Sequence, residues 1–252
     1  IKGPFVSDFE SSFKSTYNVK HTISCANGTD AIYISLKALG IGNGDEVITT
    51  ALSWISTSET ITQVGAKVVF VDISPDYYTI DTDKIEEKIT NRTKAIIPVH
   101  IYGQPAEMYK ILDIAKAYNL AMVEDCSQAH GAAIKVDGFY KSVGSFGDAA
   151  AWSFCQDKIM TTGGEGGMVT TNRDDLWELI WTIRDHGKNR KELMKKTSSK
   201  SFKWLHDNKG TNMRLTEFQS AIGRIQLKNM KKWNQKRNYN AQILINKLSN
   251  LK

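Results

Sequence analysis

The sequence predicts an α/β fold: a mostly parallel central sheet with helices on both faces. Three observations carry this. From Val19 onward, short apolar runs alternate with stretches of helical periodicity, the pattern of a sheet whose crossovers are helices. The chain has 252 residues, 41% of them hydrophobic, which is ample for a large core. Finally, Ala149 to Phe154 is an apolar run ending in a polar elbow, Cys155 to Asp157, then Lys158. The glycines Gly163, Gly164, Gly166 and Gly167 follow, then a second short strand, Met168 to Thr171. A lysine just past a buried strand either lies on the surface of a hairpin or stands partly desolvated in a pocket, where its amine attacks carbonyls.

The elements follow in order. Phe5, Phe9 and Phe13 are four apart, on one face of a helix starting near Phe5. Val19 to Cys25 is a strand. Asn27-Gly28-Thr29-Asp30 then leads into a helix over Ala31 to Leu39. Such a turn either caps the helix through Asn27 or Thr29 or cradles an anion at the helix N-terminus. Glu46 to Thr50 is a strand, followed by Ser53, Trp54 and a helix over Ile55 to Val64. Trp54 is either core or a ring that stacks on a planar ligand. Lys67 to Val71 is a strand, and Asp81 caps a helix over Thr82 to Ile89. Lys94 to Val99 is a strand, Ala106 to Tyr118 a helix burying Met108, Ile111, Leu112 and Ala115. Leu120 to Val123 is a strand ending in Glu124-Asp125, with Gln128 and His130 beyond. An acid at a strand's carboxyl end lies where α/β sheets place ligands, although Asp125 equally suits a helix cap. Asp174 to Asp185 is helical and Gly187 to Thr211 a long polar loop. Arg214 to Asn229 and Lys231 to Leu251 are helices, the second burying Ile243, Leu244 and Leu248.

Charge divides the chain. Residues 1–187 carry 16 Lys/Arg against 24 Asp/Glu, a net of −8; residues 188–252 carry 17 against 3, a net of +14. A basic tail suits nucleic acid, phosphorylated ligands or a solvated face, but no nucleic-acid motif accompanies it. The cysteines Cys25, Cys126 and Cys155 end apolar segments, are odd in number and lack metal-ligand spacing. They predict reduced thiols, a cytoplasmic protein and no metal site, with Cys155 a small core residue rather than a nucleophile. No apolar run reaches the roughly 18 residues of a membrane span, and no signal peptide is visible. The chain reads as trimmed at both ends, since it opens at Ile1 and stops at Lys252 inside a helical pattern.

Four separated features fit one ligand. Gly28 and Thr29 offer a phosphate cradle, Trp54 a stacking ring, Asp125 a strand-end acid and Lys158 a strand-end amine. A phosphorylated heteroaromatic aldehyde with a basic ring nitrogen uses all four, and pyridoxal phosphate is that molecule. Asp125 would hold positive charge on the ring while a carbanion develops on the substrate.

Here the sequence resembles the DegT-type sugar-nucleotide aminotransferases, which are fold-type I pyridoxal-phosphate enzymes. The markers run from about Phe5 to the end: Asn27 to Ala31, Gly44 to Ile48, Pro98 to Gly103, Val123 to Asp125 with Gln128 and Gly131, Ser153-Phe154 with Lys158 and Gly164 to Gly167, and Asn212-Met213-Arg214. By that resemblance, Lys158 is the Schiff-base lysine and proton shuttle, and Asp125 partners the pyridine nitrogen. Gln128 lies near the ring hydroxyl, and Trp54 stacks on the ring. Gly28, Thr29 and Ser153 bind the phosphate, and Asn212 reaches the cofactor phosphate of the neighbouring subunit. The resemblance further implies a homodimer with shared active sites. It implies ping-pong transfer of an amino group, from L-glutamate, to a nucleoside-diphosphate-linked keto-deoxysugar for cell-surface polysaccharides such as O-antigen. Residues 1–230 would form the cofactor-binding large domain and 231–252 the start of an incomplete C-terminal small domain. One departure stands inside the site: the position after Ser153-Phe154, often histidine in the family, is Cys155, which bears on substrate choice. A deoxysugar dehydratase of the same fold would carry histidine in place of Lys158. A non-catalytic regulatory protein of the same fold is the other alternative, and a nucleic-acid binder resting on the basic tail is the last.

Overall fold

A computed structural model describes residues 3–194 and 206–249. In chain order the elements are α1 (Pro4–Tyr17), β1 (His21–Cys25), α2 (Gly28–Ala38), β2 (Glu46–Thr50), α3 (Ser56–Gln63), β3 (Lys67–Val71), β4 (Thr93–Ile96), α4 (Met108–Ala117), β5 (Ala121–Asp125), β6 (Ala133–Val136), β7 (Phe139–Ser142), β8 (Ala149–Ser153), β9 (Gly167–Thr171), α5 (Asp174–Arg184), α6 (Arg190–Met194) and α7 (Glu217–Leu248). Seven strands form one sheet in the order β1-β9-β8-β5-β4-β2-β3. The four pairs from β8 to β3 are parallel; β9 runs antiparallel to both β8 and β1. The expected α/β architecture therefore holds, with one reversed strand. That strand is reversed because the link from β8, residues 154–166, is an elbow and a glycine cluster with no helix to carry the chain across the sheet.

Strand β8 shows how the sheet divides the core. Ala149 and Ala151 face a cluster with α2 and α5, which contribute Ile32, Leu36, Leu176 and Ile180. Ala150 and Trp152 face the opposite cluster, with Phe9 and Phe13 of α1 and Leu227 and Met230 of α7. This is the period-2 alternation of a strand buried on both sides. Phe13 is central to the second cluster, with its ring edge-on to Trp152 at 5.3 Å and to Phe154 at 5.7 Å between centroids. A third cluster joins α4 to β2, β4 and β5 through Met108, Ile111 and Ala115.

Several expectations need correction. Phe5 does not share the buried fate of Phe9 and Phe13: it sits in the first turn of α1, exposed, with the Arg224 guanidinium over its ring. Thr82 to Ile89 is not an α-helix but two 3₁₀ turns, the first capped by Asp81 accepting from the Asp83 N–H. The β6–β7 hairpin escaped the sequence reading. Its signal was Asp137-Gly138, both at positive φ (46° and 86°), the turn that matches strand twist. The segment from Gly187 to Thr211 contains α6 and an antiparallel bridge, Lys188 to His206, and is closed at its base by a second, Asp185 to Asn212, so its two ends run side by side; residues 195–205 of that expected loop lie outside the described ones. The two expected C-terminal helices are one 32-residue helix, α7, opened by a capping box between Thr216 and Gln219 and unbroken through residues 230 and 231. Ile243, Leu244 and Leu248 are exposed rather than buried. Among the described residues, α7 packs on α1 through its first half, Trp233 and Asn234 just beyond are half-buried, and positions 235–249 are exposed, the apolar ones included.

His130 is buried against Trp152 and Phe154. Burial pushes its imidazole down to about 3, and the charge of Lys158 adds to the shift. The ring is neutral in the fold and protonates in the unfolded chain below about 6.5. Its stability contribution is therefore complete above that pH and is lost as pH falls toward 3. Urea unfolding at about pH 7 and about pH 5 should show a drop of about 2 kcal/mol from this residue, and His130→Leu should remove that part of the drop. Phe13→Ala should cost about 3–5 kcal/mol in the same assay, through the cavity it leaves beneath β8.

Candidate active site

The carboxyl ends of β2, β5 and β8 and the N-terminus of α2 converge on one cavity of about 440 Å³. Each contributes a group for a physical reason. Asn27 ends the β1–α2 turn and caps α2, its Oδ1 accepting from the Asp30 N–H at 2.7 Å. The cap reading is therefore correct for Asn27. The cradle reading survives with it, because Gly28 and Thr29 in the first turn retain N–H groups with no intrahelical partner. The helix end comes very close to β8: a Cβ on Gly28 would lie 2.7 Å from the Ser153 Cβ. Ser153 Oγ accepts from the Cys155 N–H at 3.3 Å and stays at the cavity wall. Burial pushes the Asp30 carboxyl in the same wall upward.

Asp125 ends β5 and is almost wholly buried. Its Oδ2 accepts from Thr57 Oγ1 at 2.7 Å and its Oδ1 from the Ser127 N–H at 3.1 Å. The carboxylate is thus fixed from both sides. It does not cap a helix; it faces the cavity. Thr57 was missed by the sequence reading. Ser53 adds a hydroxyl 2.7 Å from Thr57 behind the acid, and separately Ser56 accepts from Thr29 Oγ1 at 2.8 Å beside the cradle. The hydroxyl-rich run Ser53 to Ser58 was its only signal, and helix-forming segments often carry such runs for capping.

Gln128 also lines the cavity. Its Oε1 accepts from the Tyr102 N–H at 2.8 Å, so its amide N–H₂ is left to donate elsewhere. Tyr102 takes φ +55°, a strained conformation for a side chain of its size. Behind it, His100 Nδ1 accepts from the Ala106 N–H at 3.1 Å, so Nε2 carries the proton and donates to Glu124 at 3.1 Å. Glu124 also accepts from the Gly144, Phe146 and Gly147 N–H groups, each at 2.8 Å. His100, Glu124 and Cys126 lie close enough together to hold a cation. Their hydrogen bonds occupy both imidazole nitrogens and the carboxylate, so the cluster is structural.

Trp54 is exposed at the cavity mouth rather than core. Lys158 stands at the other side, mostly buried, its Nζ 3.3 Å from Asp157 Oδ1. The elbow is held open by Phe154 N–H to Gly166 O (2.7 Å) and Gln156 N–H to Gly164 O (3.0 Å). Cys155 is half-buried rather than core, its Sγ 3.6 Å from Glu165 Oε1, and burial pushes its thiol up, away from the thiolate form. Of the residues given a cofactor role by the resemblance, Asn212 alone lies elsewhere: it is exposed, paired to Asp185 through the backbone, and lines no part of this cavity.

The donor set fits pyridoxal phosphate: helix-end amides and hydroxyls for a phosphate, a fixed carboxylate for a ring nitrogen, an aromatic lid, a free amide and one amine. No helix among the described residues is long and apolar enough to cross a membrane.

Comparison with known proteins agrees with this geometry. Residues 1–252 match the DegT/DnrJ/EryC1/StrS aminotransferase family along their whole length. A pleiotropic regulatory protein of Geobacillus stearothermophilus is 42% identical over 241 residues, 96% of this chain and 60% of that protein. GDP-perosamine synthase of Caulobacter vibrioides is 42% identical over 225 residues, 89% of this chain and 57% of that enzyme. Among solved structures, an aminotransferase from Psychrobacter cryohalolentis shares the fold with a TM-score of 0.94 and 44% identity, over 98% of this chain and 62% of that one. NtdA of Bacillus subtilis, solved with bound cofactor PMP, gives 0.87 and 34%, over 99% and 54%. The chain thus spans about 60% of the length of the curated relatives it matches. With this fold, this cavity and a match over every residue, the chain belongs to the DegT/DnrJ/EryC1/StrS aminotransferase family.

Proposed function

We propose that the protein is a pyridoxal-phosphate-dependent aminotransferase that moves an amino group from L-glutamate to a nucleoside-diphosphate-linked keto-deoxysugar, in two ping-pong half-reactions. The observation that carries this is the single cavity holding Lys158, Asp125, Gln128, Trp54 and the N-terminus of α2. When bound, pyridoxal phosphate supplies an aldehyde that takes up the amino group and a ring that accepts electrons. The chain's own groups do the rest. The amides of Gly28 and Thr29, with the hydroxyls of Thr29 and Ser153, take the phosphate at the positive end of the α2 dipole. Asp125 keeps a proton on the ring nitrogen, its carboxylate oriented by Thr57 and Ser127. Lys158 is the amine that holds the cofactor and then carries the proton to and from the substrate carbon, within reach because the elbow fixes it at the cavity wall. Trp54 covers one ring face, and the Gln128 amide donates to the ring's oxygen.

The rest of the reading follows the relatives. Names such as GDP-perosamine synthase and dTDP-3-amino-3,6-dideoxy-alpha-D-galactopyranose transaminase belong to proteins about 40% identical to this chain, which supports a nucleotide-sugar acceptor; a Bacillus subtilis spore coat polysaccharide biosynthesis protein, 38% identical, supports a role in surface polysaccharides, among which we propose O-antigen. We assign the work to the cytoplasm, where the cysteines stay reduced. Asn212, exposed at the base of the segment from Gly187 to Thr211, suits a homodimer in which it reaches the partner's phosphate site. Residues 231–252 suit the start of a smaller C-terminal part whose remaining elements would cover the exposed apolar positions of α7, with residues 1–230 the cofactor-binding part. Lys158 and Asp125 together favour catalysis over a purely regulatory role, and Lys158 rather than histidine disfavours the dehydratase reading.

The cofactor-loaded protein should show a visible absorbance band that bleaches with L-glutamate; Lys158→Ala should lack both the band and the transfer. A folded, cofactor-loaded wild type whose spectrum ignores every amino-acid donor sinks the proposal. Asp125→Asn should keep the fold but lower kcat by about 10³-fold, since the ring nitrogen loses its charged partner. Thr57→Val should lower kcat by about tenfold with little change in KM, because Oδ2 of Asp125 loses one of its two orienting bonds.

A further inference from the structure

A second cavity adjoins the first. It measures about 530 Å³ and is lined by Lys158, Ile159, Gln226, Trp233, Lys236 and Arg237. Lys158 lines both cavities, so the two meet at this residue. The far wall is one stripe of α7: Gln226, Trp233 and Arg237 are spaced by seven and four residues, and Lys236 lies one turn from Trp233. Gln226 ties this stripe to the elbow by accepting from the Thr161 N–H at 3.4 Å.

The charge on this wall is uncompensated. From Phe218 to Ser249 the chain carries Arg224, Lys228, Lys231, Lys232, Lys236, Arg237 and Lys247 and no Asp or Glu. Arg224 pairs with Asp8 at 3.2 Å. Lys236 makes only a ring contact, its Nζ 5.0 Å above Tyr239, and Arg237 has no acidic partner among the described residues. Both are exposed, and Trp233 is half-buried beside them. Helix surfaces usually interleave such cations with acids three or four residues away; here none is available. The field therefore points at an anion, and the anion's position relative to Lys158 is set by the cavity.

We propose that this cavity is the docking site for the diphosphate of the sugar-nucleotide substrate, with Arg237 and Lys236 on the phosphates and the Trp233 ring against the nucleoside. The inference deepens the aminotransferase reading above and rests on it. An arginine fork beside a lysine suits a diphosphate, and a tryptophan face suits a base or ribose. A ligand held there extends its sugar toward Lys158. The cavity's basic residues other than Lys158 are confined to two adjacent positions of α7 beside the elbow, rather than spread along a groove of the kind that tracks a nucleic-acid strand.

The test is direct nucleotide binding by calorimetry on the cofactor-loaded protein, with UDP, GDP and dTDP as probes and no sugar present. At least one should bind to wild type, with affinity that falls as salt rises. The double variant Lys236→Ala/Arg237→Ala should weaken it by at least about tenfold, and Trp233→Ala should weaken it independently. Both altered cations are exposed, so folding is not at stake. Unchanged affinity in the double variant overturns the proposal, as does binding of a single-stranded oligonucleotide in place of all three nucleotides. Bleaching of the wild-type spectrum by glutamate is read separately. If that bleaching fails, the aminotransferase reading falls; if it succeeds while no nucleotide binds, only the docking site falls.

Discussion

The corner at Asn27-Gly28 is the constraint on which the site depends. A Cβ at Gly28 would lie 2.7 Å from the Ser153 Cβ, and one at Gly167 would lie 2.2 Å from the Asn27 carbonyl oxygen. Two glycines therefore let the start of α2 settle against the end of β8 and the start of β9. The contact sets the helix-end amides beside the strand that leads, five residues on, to Lys158. Any side chain at either position would push the anion cradle away from the amine. Of the glycine cluster beyond Lys158, Gly167 lets the α2 corner in, while Gly163 and Gly164 supply the positive φ (91° and 135°) that the elbow needs.

The same strand joins stability to function. Strand β8 is buried along its whole length. Its alanines admit the helices closely on one face, while Trp152 fills the other with Phe13 and Phe9. A strand so fully packed is a rigid mount, and Lys158, five residues beyond its end, inherits that rigidity. β5 mounts Asp125 in the same way, since its neighbours on both sides are parallel strands, and parallel strands end at one edge of the sheet.

Behind the acid runs a second, buried polar layer. Glu124, one residue from Asp125 and pointing the other way, gathers three backbone N–H groups and the His100 imidazole. A buried carboxylate with that many donors is well compensated. It anchors the loop through which Tyr102 reaches Gln128. The strain at Tyr102 is sustained because its N–H is held by a cavity-lining side chain. The apparent cation cluster at His100, Glu124 and Cys126 is better understood as this scaffold.

By itself, the sequence determined the alternation of strands and helices, and through it the α/β class. It also marked Lys158, Asp125, Gln128, Trp54 and the Gly28 turn, because each sits at a boundary between an apolar run and a polar break, where local chemistry is visible. It could not say that the break after β8 would reverse the chain, or that one helix, Glu217–Leu248, would stand where two were expected, since those outcomes depend on what packs alongside. Thr57 and Ser56 looked like ordinary helix-start hydroxyls until the fold brought them to Asp125 and Thr29. Asp125 looked equally like a cap until its oxygens were seen to be held by Thr57 and Ser127. The cations of α7 were legible as a count but not as a wall, because only the crossing of α7 behind the elbow sets Arg237 and Lys236 beside Lys158. Local patterning fixes which segments fold into what; which groups meet is decided by contacts distant in sequence, and a site is made of such contacts.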